Sequence, residues 1–342
     1  MKTNRSHRML MPLFTCIGLV VLLLGCVNGP WSTRDPDAIT PGVETVLKGF
    51  DYSTEYGTDE YDGGVIFYGD TRKHHDVHMD MVERVLAFDP GYVFHLGDMV
   101  SDGDQQIQWN DFDEITRNLR QVTDLYPVIG NHEKGVDPPW YAGHWDHPIG
   151  QGYYSLDMLS SGEIVPVPIG LDGQSDYAAV PEDAVAHLAV LHSNPGFLEP
   201  DSAQHEWLLN DLDHYDSIPT ILVFHIPLYC AGVHHDEMEE AHPAAVLYDI
   251  IEDEDIVACV SGHDHAYQRF DVDGFTQVVS GCAGESPYDI EQPDHPYLEV
   301  YEPVYHLTVM KLEDGELTGE YRLRFTAFDI DYTIIDTFVI DL

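Results

Sequence analysis

Several short apolar runs in this sequence end abruptly in side chains that bind metal ions. One of them reads GYVFHLGD, an apolar segment followed at once by a glycine and a carboxylate. Such runs are followed by carboxylate, amide or imidazole groups. These groups belong to Asp70, Asp98, Asn131, His225, His263 and His265. These are the ligand types that zinc, manganese and iron take in proteins. We therefore predict a metal site, since a buried carboxylate is tolerated when a cation neutralises it.

The elements that must position these residues follow an α/β pattern. Short apolar runs alternate with segments of helical periodicity, such as 74–88 with Val77, Met81, Val85 and Phe88. The predicted strands are 65–68, 92–96, 126–129, 187–191, 220–224 and 256–260. Loops at the carboxyl ends of such strands gather in one crevice, so the six side chains are expected to converge.

Other segments complete the predicted order. Phe112, Ile115 and Leu119 indicate one helix, Ser202 is placed to cap another, and 244–251 is helical. From residue 276 onward the chain is mostly β, with a hairpin at Asp314-Gly315. Residues 135–180 are rich in Gly, Pro and Tyr and are predicted to form long loops with short strands.

Composition restricts the classes of function. The 342 residues contain 61 Asp and Glu but only 15 Lys and Arg, which excludes nucleic-acid binding through a general basic surface. Hydrophobic residues make up 44% of the chain, enough for a folded core. Solubility in high salt and surface calcium binding both account for the excess of acidic residues, and the sequence does not separate them.

The first residues resemble a secretory signal peptide. Three basic residues precede an apolar run that ends in LLGC at Cys26. We expect residues 1–25 to be the signal, Cys26 to be lipidated, residues 26–45 to form a tether, and residues 46–342 to form one domain. The protein would then be an exported cell-envelope lipoprotein anchored in the membrane; the alternative is a secreted protein. Three cysteines remain, Cys230, Cys259 and Cys282, and buried thiols are expected, although one pair could bridge.

The order of the motifs resembles that of the calcineurin-like metallophosphoesterases. The motifs are GD at 69–70 and 97–98, GNHE at 130–133, a strand-end His at 225 and GHDH at 262–265. VFHIPLY, GHDHAYQR and QHEWLLNDL are similar to segments of the purple acid phosphatase branch. This resemblance covers about residues 62–285 and implies a four-layer α/β/β/α sandwich of two mixed β-sheets flanked by helices.

The resemblance also implies a centre of two divalent or trivalent metal ions, of iron, zinc or manganese. Asp98 would bridge the two ions, and Asp70 and His265 would hold the first. Asn131, His225 and His263 would hold the second. His132 would lie beside the leaving group and donate a proton to it or stabilise its charge.

Two positions depart from the family pattern. Arg72 stands where many members have a histidine, and Ser101 stands where the purple enzymes have a tyrosine. The first metal is then one ligand short, and water, His74 or His75 could supply the missing ligand. Arg72 is expected to clamp the phosphate with its planar guanidinium; the alternative is a surface arginine at a helix start.

The expected function is hydrolysis of phosphomonoesters or phosphodiesters by a hydroxide held at a dinuclear metal centre. The alternatives are a catalytically idle metal-binding surface module and a protein phosphatase. His234 and His235 follow His225 closely, and contact with the substrate is as well supported for them as exposure on a loop.

Overall fold

The computed structural model describes residues 59–133, 145, 152–168, 180–236 and 246–342. The predicted signal peptide, Cys26 and the tether lie outside these residues, as does the predicted domain start at residue 46. Much of the predicted loop region 135–180 also lies outside them.

The described residues form fourteen strands. In chain order they are β1 Val65–Tyr68, β2 Tyr92–His95, β3 Asp124–Pro127, β4 Tyr154–Leu159, β5 Ile164–Pro166, β6 Ala184–Val190, β7 Thr220–Val223, β8 Ile256–Ser261, β9 Tyr267–Val272, β10 Phe275–Ser280, β11 Leu298–Glu302, β12 His306–Asp314, β13 Tyr321–Asp329 and β14 Ile334–Asp341. The helices are α1 His75–Ala87, α2 Gln106–Thr116, α3 Leu119–Val122, α4 Ala203–His214 and α5 Val246–Asp253, with a 3-10 turn at Asp59–Tyr61.

These strands form two mixed sheets. The first has six strands in the order β14-β13-β12-β1-β2-β3, and β1, β2 and β3 run parallel. The second has eight strands in the order β11-β9-β10-β8-β7-β6-β4-β5, and β6, β7, β8 and β10 run parallel. The parallel strands are the ones that carry the metal-capable residues at their carboxyl ends.

Alternate side chains of the second sheet enter different cores. Ile221 and Val223 of β7 belong to a core shared with β1, β2 and β12 of the first sheet. Leu222 and Phe224 point the other way and pack with the apolar faces of α4 and α5. This alternation follows from the period of two along a strand. The two sheets therefore face each other, and the predicted α/β sandwich of two mixed sheets is confirmed.

Most predicted elements are present, with small differences at their ends. Ser202 caps α4 as predicted, because its hydroxyl accepts a hydrogen bond from the amide of His205 at 3.1 Å. The hairpin at Asp314-Gly315 is formed by β12 and β13. The single helix predicted through Leu119 is wrong, since α2 ends at Thr116 and Leu119 starts the separate turn α3. The spacing of buried positions continues across this break, which is why periodicity did not reveal it.

No helix among the described residues is both long enough and apolar enough to span a bilayer. The cysteines Cys230, Cys259 and Cys282 are buried free thiols, so no pair of them is bridged.

Candidate metal centre

The loops after β1 and β8 meet at Asp70. The amide of His263 donates a hydrogen bond to Asp70 Oδ2 at 3.0 Å. The other oxygen, Oδ1, lies 3.6 Å from Nε2 of His265. Both atoms of this second pair are buried and have no hydrogen-bond partner among the described residues. The residues predicted for the first metal are thus adjacent.

A second group lies around the side chain of Asn131. Its Oδ1 is 2.9 Å from Nε2 of His225 and 3.1 Å from Nδ1 of His263. The Nδ1–H of His225 donates to the carbonyl oxygen of Leu96 at 2.7 Å, which leaves Nε2 as the atom with a free lone pair. The three residues predicted for the second metal are therefore together.

Asp98 lies between the two groups. Its Oδ1 is 3.4 Å from His225 Nε2, and it accepts a hydrogen bond from the amide of His132 at 3.0 Å. One ligand atom each from Asp70, Asp98 and His225 lies within 4.8 Å of the others, and all three residues are buried. Asp98 is therefore close to a residue of each group.

The backbone is strained where these ligands begin. Asp70, Asp98 and His263 have φ values of 57°, 55° and 72°, in the left-handed region that residues other than glycine seldom adopt. Such conformations cost about 1–3 kcal/mol each and cluster at functional sites. At each of these three residues the left-handed φ turns the backbone sharply after the strand, so that the side chain faces the other loops.

Glycine is required at Gly130 by close packing. A Cβ at this position would lie 2.3 Å from both the amide nitrogen and Oδ1 of Asp98. The glycine before Asn131 therefore allows the loops after β2 and β3 to touch.

Glu133 is a buried residue that the sequence analysis did not select. Its carboxylate accepts hydrogen bonds from the amides of Asp98, Met99, Val100 and Gly130, at 2.6 to 3.3 Å. It thereby fixes the loop of the bridging residue to the loop of Asn131. The available signal was its place in GNHE, directly after two site residues.

The lowered pKa values of the histidines suit metal binding, and the raised pKa values of the carboxyl groups show the cost of burying a negative charge. Burial raises the pKa of Asp70 well above its usual range, and the nearby charge of Asp98 adds to the effect. Burial raises the pKa of Glu133 to about 8, again with a contribution from Asp98. Burial lowers the pKa of His225 to about 3 and that of His265 to about 2, so both imidazoles are neutral, the form that binds metals.

His132 is placed at the edge of the centre. Its Nδ1–H donates to the carbonyl oxygen of Ser101 at 3.0 Å, and its Nε2 lies 3.9 Å from Asp98 Oδ2. The side chain is 34% exposed, so part of the imidazole is accessible to a bound molecule. This tautomer leaves Nε2 able to exchange a proton.

Arg72 is buried rather than on the surface. Its side chain is 8% exposed, Nη1 lies 3.5 Å from Asp98 Oδ2, and Nε lies 2.7 Å from Glu285 Oε1. The alternative of a surface arginine at a helix start is therefore wrong. Glu285 was not selected from the sequence, although it follows the apolar strand β10 and the segment GCAG, a strand end like the others.

The two histidines considered as replacement ligands lie further along the same loop. His74 Nε2 is 3.1 Å from the hydroxyl of Ser286, and His75 begins α1. The ring of His234 packs against that of His263, with centroids 4.2 Å apart and planes tilted by 32°, so it lies at the centre. Tyr288 stacks on His265 at 4.1 Å and was not selected from the sequence.

The donor set fits metal ions. Two ligand atoms that each lie about 2.0–2.2 Å from one ion are separated by about 3–4 Å. The separations of 3.6 Å at Asp70–His265 and 3.4 Å at Asp98–His225 match that spacing. Asp70 Oδ1 and His265 Nε2, which have no hydrogen-bond partner in the described part of the chain, are also free to act as ligand atoms.

Two facing mixed sheets with this cluster at their strand ends define the metallophosphoesterase class of fold. A family model for calcineurin-like phosphoesterases matches residues 64–267. The match covers more than half of the chain, and the chain belongs to that family. No protein of curated function matches the sequence.

The first two of the following similar structures, with TM-scores above 0.5, support the fold. A purple acid phosphatase, PPD1, from yellow lupin (Lupinus luteus) seeds aligns with a TM-score of 0.56 and 16% identity over 81% of this chain. That alignment spans 53% of the lupin chain, so the match covers about half of its length. GAP50 of Plasmodium, described as the anchor in the inner membrane complex, gives a TM-score of 0.58 and 12% identity over 81% of this chain and 88% of its own. A dimetal phosphatase from Danio rerio aligns at 13% identity over 81% of this chain and 98% of its own, with a TM-score of 0.49.

Proposed function

We propose that this protein hydrolyses phosphate esters, either monoesters or diesters, at a centre of two metal ions. The observation that carries the proposal is the convergence of Asp70, Asp98 and His225 from three separate loops, with ligand atoms within 4.8 Å of one another. Membership of the calcineurin-like phosphoesterase family supplies the reaction class.

Each side chain has a role in this proposal. Asp70 and His265 would hold one ion, Asn131, His225 and His263 would hold the other, and Asp98 would contribute to both. When bound, the ions would act as Lewis acids that polarise the phosphoryl oxygens and lower the pKa of water. Glu133 keeps the loop of Asp98 in place through its amide contacts.

The residues at the edge would act on the substrate. Arg72 would bind phosphoryl oxygens through its terminal nitrogens, because a guanidinium matches the geometry of phosphate. With its ring protonated on both nitrogens, His132 would transfer the proton on Nε2 to the departing oxygen, while Nδ1–H stays bonded to the carbonyl of Ser101. Both contacts would neutralise negative charge that builds up as the ester bond breaks.

The alternative is a catalytically idle surface module. The contact of Arg72 with Asp98 favours it, because a guanidinium 3.5 Å from Oδ2 already neutralises part of the bridging carboxylate. A protein phosphatase is the third candidate. Residues 135–180, which would border the substrate, lie mostly outside the described residues.

Turnover of an aryl phosphate separates these candidates. The purified protein is depleted of metal, reloaded with zinc, manganese or iron, and assayed with 4-nitrophenyl phosphate, its bis ester and a phosphopeptide. We expect metal-dependent release of nitrophenol. Turnover of the phosphopeptide alone would favour a protein phosphatase, and absence of turnover with every metal would favour the idle module.

We also propose export through residues 1–25 and anchoring through a lipid on Cys26. The support is the basic, apolar and LLGC pattern of the sequence. Mass spectrometry of the mature N-terminus tests it, and a free N-terminus beyond Cys26 would favour the secreted alternative.

A further inference from the structure

Glu285 forms a buried ion-pair network at the edge of the candidate metal centre. Its Oε1 lies 2.7 Å from Nε of Arg72, and its Oε2 accepts a hydrogen bond from Nζ of Lys73 at 2.9 Å. The side chains of Glu285 and Arg72 are 2% and 8% exposed, whereas that of Lys73 is 57% exposed. The Arg72 contact is therefore shielded from solvent, and the Lys73 contact is not.

The backbone fixes Glu285 beside the loop that carries Asp70. The amides of Ala283 and Glu285 donate to the carbonyl oxygens of Gly69 and Asp70 at 3.0 and 2.9 Å. In return, the amide of His74 donates to the carbonyl oxygen of Gly284 at 2.9 Å. These three bonds join the segment after β10 to the segment after β1, so the carboxylate of Glu285 has a defined place relative to Arg72.

Gly284 permits this close contact. A Cβ at Gly284 would lie 2.7 Å from the Cα of Thr71. The two segments are therefore closer than side chains would allow, and the position of Glu285 depends on that packing.

The ion pair leaves Nη1 of Arg72 facing the centre. Nε lies 2.7 Å from Glu285 Oε1 as an ion pair without hydrogen-bond geometry, while Nη1 lies 3.5 Å from Asp98 Oδ2. The main-chain oxygen of Arg72 accepts a hydrogen bond from the hydroxyl of Ser101 at 3.3 Å. An arginine whose main chain and Nε both have partners loses little freedom when a ligand binds. Such preorganisation increases affinity.

We propose that Glu285 is a positioning residue for phosphate recognition, holding the guanidinium of Arg72 so that its terminal N–H groups face the phosphoryl group of the substrate. The inference deepens the proposed function and rests on it. Glu285 acts through Arg72 and does not touch the substrate.

The test measures inorganic phosphate as a competitive inhibitor of the metal-loaded full chain, alongside kcat and KM for 4-nitrophenyl phosphate. We expect Glu285→Gln to raise the inhibition constant and KM about 10-fold or more, the effect of losing a charge-assisted contact. Arg72→Gln should do at least the same. Lys73→Gln is the matched control, because it removes the exposed partner of the same carboxylate, and it should change either value less than about 2-fold.

The double variant Arg72→Gln/Glu285→Gln distinguishes positioning from general support. If Glu285 acts through Arg72, the double variant resembles Arg72→Gln alone, since effects within one unit are not additive. Additive losses, or a loss of kcat with unchanged phosphate inhibition, would overturn the proposal. Metal content by elemental analysis should be the same in all variants.

Two further measurements keep the test decisive. If Glu285→Gln fails to fold, Glu285→Asp retains the charge at a shorter reach and should give a smaller rise in the inhibition constant. If the wild type hydrolyses nothing, the proposed function fails, and titration calorimetry of phosphate onto the metal-loaded variants tests Glu285 separately. Equal phosphate affinity in the wild type and Glu285→Gln would then contradict the inference.

Discussion

Asp70 and His265 lie far apart in the sequence, yet Oδ1 of the first is 3.6 Å from Nε2 of the second. Neither atom has a hydrogen-bond partner among the described residues. Leaving two buried polar atoms without partners costs about 1–3 kcal/mol for each, so the arrangement is unfavourable unless a cation binds between them. Together with Asp98, this pair makes metal binding the central physical hypothesis for the protein.

Replacing the shared carboxylate tests that hypothesis most directly. Asp98→Asn should abolish turnover and weaken both metals, because one negative charge serves the two ligand groups. The loss of metal affinity should exceed the roughly 10–100-fold effect of removing a residue that only supports a ligand. Equilibrium dialysis with elemental analysis measures it. Unchanged activity and metal content in folded Asp98→Asn protein would refute the assignment.

Removing the metals should destabilise the folded protein. Asp70 and Asp98 are buried beside each other, and an ion that binds only the native state adds about 4 kcal/mol at 1,000 times its dissociation constant. Differential scanning calorimetry with and without a chelator should show a lower Tm for the depleted protein, restored by added metal. The chelator should leave the Tm of Asp98→Asn nearly unchanged, and an equal shift in that variant would contradict a role for the centre.

His132 should matter more for poor leaving groups than for good ones. Its Nε2 lies 3.9 Å from Asp98 Oδ2 while Nδ1 is bound to the carbonyl of Ser101. We expect His132→Gln to slow hydrolysis of an alkyl phosphate about 100-fold or more, within the usual range for proton transfer, and that of 4-nitrophenyl phosphate much less. Steady-state kinetics on both esters provide the comparison. Equal losses on the two substrates would mean that His132 does not assist the leaving group.

A buried histidine away from the centre should make stability depend on pH. His187 lies between Asp157 and Asp211 and stacks on Tyr215. Its Nδ1 is 2.8 Å from Asp157 Oδ1, and its Nε2 is 2.8 Å from Asp211 Oδ2. Burial alone would lower the pKa of His187, but the two carboxylates more than offset it, so the pKa is raised above its usual value of 6.5. Its contribution to stability is therefore complete below the unfolded-state pKa and is lost as the pH rises through the folded-state pKa.

Urea unfolding between about pH 5 and 9 measures this dependence. His187→Gln should lower the free energy of unfolding by about 3–5 kcal/mol at the acid end, because it leaves buried carboxylates without their cation. The difference from the wild type should shrink as the pH rises. A difference that is constant across this range would show that His187 is not protonated in the folded protein.

The position of Ser101 predicts the colour of the iron-loaded protein. The purple enzymes that the sequence resembles carry a tyrosine there, and their charge-transfer colour requires the tyrosinate. Here the Ser101 hydroxyl instead donates to the main-chain oxygen of Arg72 at 3.3 Å. Protein loaded with ferric iron should show no purple band in its visible spectrum; a purple band would mean that another tyrosine binds the iron.

Local sequence predicted the strand ends well because each motif is a local event. An apolar run followed by glycine and a polar ligand marks where a buried strand stops, as at Gly69-Asp70. The six predicted ligand positions all follow strand ends, although His225 has no glycine before it, and the five strands that precede them were located within a few residues. The same reasoning could not separate α2 from α3, since a break in backbone hydrogen bonding leaves the apolar spacing intact.

The sequence by itself determined the fold class and the family, and it predicted the reaction class and the types of ligand, because hydrophobic periodicity and the order of short motifs encode them. Only the tertiary structure decided that Arg72 is buried, that Glu285 holds it and that Glu133 joins two loops. These contacts bring together segments that are remote in the chain, and their energy depends on distance and burial. Neither quantity can be read from the composition of the segments themselves.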